Sequence, residues 1–367
     1  MDLLYISGMS LHKNSAQYTQ LTEKKELFNS LGYETEILTP LITSRDYFLI
    51  PYLSQILLQV IFFFQVLTKC IDKHPRSICS RSALSLHILF LAKLLNVKYV
   101  TEVHGCLREE MLIQNTSLLY YIFVLFSEKI CYKLCDRIIT VTDQIKNDIV
   151  QYYCVNPKKI IVIGNGVNTS LFTPHKKPVD LNITSLISKK FIVGFSGSLI
   201  CWQGVDYLIS AMSYVVKEKQ NCHLVIVGDG PEKQNLEFLT KKLNLTEYVT
   251  FIGNVDYNIL PDYINLFKIC ICYKIPLKSG YSPLKLFEYM SCGKPIIASN
   301  VVGFEVIAEK NIGLLVTPRS EKELAKAILI LIQDDLLTEK MGRNAREYAE
   351  RECSWKIAVQ KYIEELK

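Results

Sequence analysis

At 367 residues, with 49% apolar and 21% charged side chains, the chain is long for one core, and two domains with substantial interiors are expected. Its net charge of +6 is spread along the chain without arginine-rich tracts, which favours anionic small substrates or an anionic membrane surface and argues against nucleic acid. Twelve cysteines sit mostly inside apolar runs and form no C-x-x-C pair, so reduced, buried thiols are expected and a disulfide scaffold is not.

The opening MDLLYISG has an acid at position 2 and only a short apolar run, so it reads as a first strand and not as a signal peptide. Residues 3–7 form a buried strand, 16–31 a helix closed by Gly32, and 34–38 a second strand, the rhythm of a parallel doubly wound sheet. Residues 47–68 carry no charge across 22 positions, long enough to span a bilayer. Pro51, Ser54, Gln55, Gln59 and Gln65 interrupt that run, and a span here would separate strands of one sheet; a buried or membrane-facing helix is expected. A strand at 77–80, a helix at 87–95 and a strand at 98–103 follow, ending at His104 and Gly105. Ligands of open α/β sheets bind at the carboxyl ends of strands, which places His104 to meet substrate, although a histidine satisfying a turn fits the same position. An apolar helix at 118–134 precedes strands at 137–142 and 159–163 and a tight turn at Asn165-Gly166. Residues 172–190, with two prolines and several basic residues, read as the connection between domains.

The second half restarts the rhythm with strands at 191–195, 222–227, 249–252, 269–273 and 295–299 and helices at 205–216 and 232–243. Gly228 and Gly230 do not complete G-x-G-x-x-G, since Lys233 and Gln234 fill the later slots, so a dinucleotide fingerprint is absent. No D-x-D triplet occurs, which argues against a carboxylate-held metal. The densest stretch is 279–300, SGYSPLKLFEYMSCGKPIIASN. Ser282 followed by Pro283 predicts a capped helix start with Lys285 as the third helical residue; Gly293 and Pro295 stop the helix before a strand. Lys285 and Glu288 are spaced to share one face beside the helix N-terminus, an arrangement suited to a nucleotide diphosphate with the carboxylate on ribose hydroxyls. The same spacing fits an ordinary capped helix with a surface ion pair.

Five motifs agree in order with one family. Glu102-Val103-His104-Gly105, Asn165-Gly166-Val167-Asn168 with Phe172 and Pro174, the loop 197–208, the G-D-G-P turn at 227–231 and the F-E-Y-M-x-x-G-K-P helix at 286–295 resemble the motif set of retaining glycosyltransferases of family 4. The resemblance covers nearly the whole chain. It implies the α/β GT-B fold, two Rossmann-like doubly wound domains facing a cleft: an acceptor-side domain at 1–172, a nucleotide-sugar domain at 173–345, and a C-terminal helix, 346–367, packing back on the first. It implies catalytic roles for His104 and Lys285, donor binding by Gly197, Ser198, Gln203, Gly280, Tyr281, Ser282, Pro283, Leu284 and Glu288, base contacts at Asn254 and Val255, and acceptor contacts at Gly8 and Ser10.

No cofactor is implied beyond the nucleotide-diphosphate sugar that serves as donor, and no metal. The acceptor is expected to be lipid-linked or an oligosaccharide, and the protein cytoplasmic and peripheral on an anionic membrane face, because basic residues such as Lys69, Lys73, Arg76, Lys129 and Lys133 adjoin the two apolar helices. Three departures stand out. The glutamate that the family often places eight positions before Glu288 is Gly280, an arginine and a lysine of the diphosphate loop are Ser198 and Gln203, and the fourth residue of N-G-V-D is Asn168. These departures leave room for a catalytically silent subunit of the same fold, and a nucleotide-sugar epimerase is the other alternative.

Overall fold

Short segments of three to six residues set the two sheets. Leu3–Ile6 (β1), Thr35–Leu38 (β2), Ser77–Ser80 (β3), Lys98–Val103 (β4), Arg137–Thr140 (β5) and Ile160–Val162 (β6) pair in the order β2-β1-β3-β4-β5-β6, all parallel. Strands buried on both faces need no alternation, which is why β1 and β3 lie wholly inside. The computed structural model describes residues 1–7, 16–40, 52–81, 83–113, 116–174, 190–278 and 280–366. It divides into one unit of Met1–Gly164 with Trp355–Lys367 and a second of Asn165–Ser354.

In the first unit, helices Tyr52–Lys73, Leu86–Leu94 and Leu118–Leu134 pack in sequence, the second against both others, and contribute Phe62, Val66, Ile88, Leu89, Cys131 and Tyr132 to the core. The expected helix at 47–68 begins at Tyr52 and runs on to Lys73, the positions before 52 lying outside the described residues. No helix among the described residues is long and apolar enough to cross a membrane. The C-terminal helix Trp355–Leu366 lies against Ala16–Ser30.

The second unit holds Phe191–Ser196 (β7), Cys222–Val227 (β8), Val249–Gly253 (β9), Ile269–Cys272 (β10), Ile296–Ser299 (β11) and Gly313–Val316 (β12), in the order β12-β11-β10-β7-β8-β9, again all parallel. β12 adds a sixth strand to the five expected from the sequence; its run is GLLV, with both central leucines partly buried. The strand order reverses between β7 and β10, so the loops leaving those two strands flank the switch point where open α/β sheets take ligands.

The units divide at 164/165 and 354/355, where the family resemblance implies 172/173 and 345/346. Side-chain contacts give the reason. Phe172 is wholly buried, its carbonyl accepts from Ser291 Oγ at 2.6 Å, and Arg346 donates to the carbonyls of Thr169, Phe172 and Ser291 at 3.1, 2.7 and 2.6 Å. The helix Asp335–Glu352 that carries Arg346 packs on Leu284–Ser291, so only the residues from Trp355 onward belong to the first unit. All twelve cysteines are free thiols, and only Cys154 and Cys201 are exposed.

Candidate functional site

Residues of the second unit converge at the switch point. β7 ends at Ser196, whose backbone N–H donates to Tyr289 Oη at 2.7 Å, and its Oγ lies 3.0 Å from the same oxygen. Tyr289 belongs to helix Leu284–Ser291, so the loop after β7 and the helix are locked together by a wholly buried side chain. From the second helical position Lys285 reaches across this junction. Its Nζ donates to Gln203 Oε1 at 2.9 Å and stands 3.8 Å from the Phe195 ring centroid. A Cβ on Gly197 would lie 2.6 Å from that Nζ, so only glycine lets the ammonium sit against the loop backbone.

Lys285 is only 8% exposed. Burial, with the charge of Lys274 as the second cause, pushes its pKa down to about 7 from an ordinary 10.5, against partial support from Cys272 and Glu288. The surface ion pair with Glu288 suggested by spacing does not form; Gln203 takes the ammonium and Tyr257 donates to Glu288 Oε1 at 3.0 Å. Both members of the supposed surface pair are buried.

The helix start is also displaced by one residue. Pro283, extended at φ −75° and ψ 134°, occupies the cap, Leu284 is the first helical residue, and Ser282 makes no capping bond. Ser282 instead accepts from Asn165 Nδ2 at its carbonyl (2.8 Å) and Oγ (3.3 Å), which joins the N-G-V-N segment to the helix entrance. The Tyr281 N–H is committed to the Val302 carbonyl at 3.0 Å and is unavailable to a ligand, whereas the first helical amides, Leu284 and Lys285, have no partner within the helix. Gly280 sits at φ +71° beside Val302, Ser198 is exposed at the loop tip, and Asn254 and Val255 follow the end of β9, Asn254 exposed.

In the first unit His104 follows β4. Its Nε2 lies 2.8 Å from Glu102 Oε1, and the buried Lys24 ammonium lies 3.0 Å from the same oxygen. Tyr5 Oη also donates to Glu102. Burial would raise the Glu102 carboxyl, but Lys24 and His104 outweigh it and hold it well below the usual range. Burial, followed by the charge of Arg81, brings His104 down to about 4, so the imidazole is neutral near pH 7. Lys24 is further stacked by Trp355 and Tyr362, whose ring centroids lie 4.8 and 5.0 Å from Nζ. Gly8 and Ser10 lie outside the described residues.

Residues 25–171 match the family model described as Glycosyltransferase Family 4, and residues 177–348 match that described as Glycosyl transferases group 1. The chain belongs to glycosyltransferase family 4. An uncharacterized glycosyltransferase of Methanocaldococcus jannaschii is 28% identical over 236 residues, 64% of this chain and 59% of that protein. The capsular polysaccharide biosynthesis glycosyltransferase CapM of Staphylococcus aureus is 23% identical over 64% of this chain and 62% of its own length. The chain thus spans under two thirds of either relative. The crystal structure of Anabaena HepE in complex with UDP superposes with a TM-score of 0.74 at 19% identity, covering 100% of this chain and 99% of that one, which fixes the fold as GT-B.

Within this family 4 chain the sequence motifs account for Lys285, Glu288 and Gly197 but miss two residues. Lys274, just beyond β10, belongs to no motif and is 4% exposed, with its Nζ 5.0 Å from the Tyr281 ring centroid. Tyr257, which donates to Glu288, lies between β9 and β10 and belongs to no motif. Only a count of charged residues at the strand ends would have raised Lys274. Among the described residues no cluster of three or more His, Cys, Asp or Glu is placed to hold a metal ion.

Proposed function

We propose that the chain transfers a sugar from a nucleotide-diphosphate sugar to a lipid-linked or membrane-proximal acceptor, with retention of anomeric configuration. The observation that carries this reading is the buried Lys285 ammonium against the Gly197 backbone at the β7/β10 switch point. Breaking a glycosyl–diphosphate bond leaves growing negative charge on the phosphate, and a preorganised cation with helix amides in a dry site stabilises it without solvent reorganisation. Leu284 and Lys285 offer those amides, Glu288 takes ribose hydroxyls on displacing Tyr257, and the neutral His104 imidazole hydrogen-bonds the donor sugar. Attack on the same face as the departing diphosphate needs no protein nucleophile. The donor itself is the only co-substrate required besides the acceptor; no metal or other cofactor enters.

The acceptor side is read from apolar exposure in the first unit. Leu119 (82%), Phe126 (61%) and Leu94 (83%) are open on two adjoining helices, and Leu57, Phe64 and Ile71 are open on the third. Apolar surface of this extent on neighbouring helices suits the interfacial region of a bilayer, the place of a peripheral protein on an anionic leaflet.

Purified chain incubated with radiolabelled UDP-, GDP- and ADP-sugars, with and without extracted lipid, is expected to release nucleoside diphosphate and label the lipid, the product anomer matching the donor by NMR. UDP-sugars come first because HepE is described with UDP. Binding of a nucleoside diphosphate without hydrolysis or transfer from any donor would favour the silent subunit, which Gly280 and the engaged Lys285–Gln203 pair already motivate.

A further inference from the structure

The family-type diphosphate loop of this chain carries no cation at Ser198 or Gln203, yet a second lysine outside the motifs stands at the same switch point. We propose that Lys274 is a phosphate-binding residue of the donor site, acting with Lys285 on the diphosphate and supplying the charge that the loop lacks. The proposal rests on the donor-site reading above.

Placement is the first argument. β7 and β10 are the paired strands between which the order reverses; Gly197 follows the one and Lys274 follows the other by two positions. The second argument is rigidity. Ser299 Oγ accepts from the Lys274 N–H at 2.8 Å and donates to the Lys274 carbonyl at 2.8 Å, pinning its backbone to the end of β11. The next residue, Ile275, donates to the Trp202 carbonyl at 3.2 Å and accepts from Tyr281 Oη at 2.5 Å. One segment is thereby tied to the diphosphate loop, where Trp202 adjoins Gln203, and to the approach of the Lys285 helix.

The third argument is electrostatic. Burying two ammonium groups within range of one another is unfavourable unless an anion joins them. Lys274 is the leading charged cause of the lowered proton affinity of Lys285, while Cys272 and Glu288, the other titratable groups facing it, act in the opposite sense. Both lysines lie within the field felt by Cys272 at the end of β10, so both stand near that strand end. A diphosphate arriving there reverses the sign of the interaction. The competing structural role, a lysine packed on the Tyr281 face for stability alone, predicts no dependence of phosphate affinity on its charge.

The test is titration calorimetry of the full chain with UDP, GDP, ADP and inorganic pyrophosphate at pH 8. Lys274→Met is expected to weaken the tightest of these by about tenfold or more, the scale of one charged hydrogen bond, while Lys274→Arg keeps most of the affinity. Lys274→Gln, which retains a polar head beside Tyr281, is the second variant should the Met form fold poorly. A second readout is proton uptake, measured in two buffers of different ionisation heat. The parent takes up close to one proton per diphosphate as Lys285 recharges, and the Lys274 variants take up less because removing the neighbouring charge raises the proton affinity of Lys285 toward its ordinary value. Unchanged affinity and uptake in a folded Lys274 variant, with affinity lost in Lys285→Met, would overturn the proposal and leave the donor-site reading intact. A parent that binds none of the four ligands would overturn both.

Discussion

The ammonium of Lys285 is held where water scarcely reaches it, and that has a thermodynamic signature in the unliganded protein. Because its folded pKa of about 7 lies below the ordinary 10.5, the unfolded chain binds more protons between those values, and unfolding free energy rises with pH across that window. The penalty is complete below pH 7, on the order of 5 kcal/mol, and is lost toward pH 10.5. Lys285→Met deletes the charge and keeps the stem, so its melting temperature minus that of the parent should be most positive near pH 6 and decline toward pH 9. A difference constant with pH would mean that Lys285 titrates as an ordinary surface lysine. The same variant should lose roughly a hundredfold to a thousandfold in kcat, the cost of one preorganised donor. The residue types were legible in the sequence; their partners were not. Spacing put Lys285 and Glu288 on one helical face, but their partners, Gln203 and Tyr257, lie 82 and 31 positions away, and no local pattern encodes such contacts. Lys274 carried no signal because a single lysine after a strand is ordinary.

At the scale of elements, the loop after β7 and the turn after β8 act as a pair. Gly228, at φ +135°, sits where a Cβ would come 2.0 Å from the Gly197 carbonyl oxygen, backbone against backbone. Gly197, at φ +136°, would strike only the flexible end of Lys285. Gly228→Ala should therefore cost about 2 to 4 kcal/mol from overpacking plus backbone strain, lowering the melting temperature clearly. Gly197→Ala should cost less stability and more nucleoside-diphosphate affinity, since it displaces the ammonium. Thermal melts and calorimetry of the two variants side by side check the ordering, and equal loss of both quantities in both variants would count against it. Five of the six strands of this sheet were legible in the sequence, as were all six of the first, because buried parallel strands are rich in apolar residues and alternate with helical segments. The start of helix Leu284–Ser291 was misplaced by one residue because Ser-Pro is an equally good cap and first turn in isolation. Only the distant Asn165 amide, by taking the Ser282 carbonyl and hydroxyl, decides the register.

Over the whole molecule, the exposed apolar faces of helices Tyr52–Lys73, Leu86–Leu94 and Leu118–Leu134 lead to a binding prediction. Part of the basic rim read from the sequence is engaged in surface ion pairs: Lys69 with Glu36 at 2.7 Å and Arg76 with Asp2 at 3.3 Å. Apolar insertion should thus dominate over charge. The protein is expected to co-sediment with vesicles containing phosphatidylglycerol and to remain largely bound when salt is raised. Leu119→Glu with Phe123→Glu, both at exposed positions, should release it with little change in melting temperature. Full retention of that double variant on vesicles would move the membrane contact elsewhere. The discontinuity of the first unit has a consequence of a different kind, in time. Lys24 and Glu102 leave the ribosome long before Trp355 and Tyr362, the aromatic rings that close over Lys24. Synthesis of the intervening second unit takes roughly ten to forty seconds at about 5 to 20 residues per second. Through that interval a carboxylate and an ammonium destined for a dry interior are still in water, so the half of the molecule made first is the half finished last.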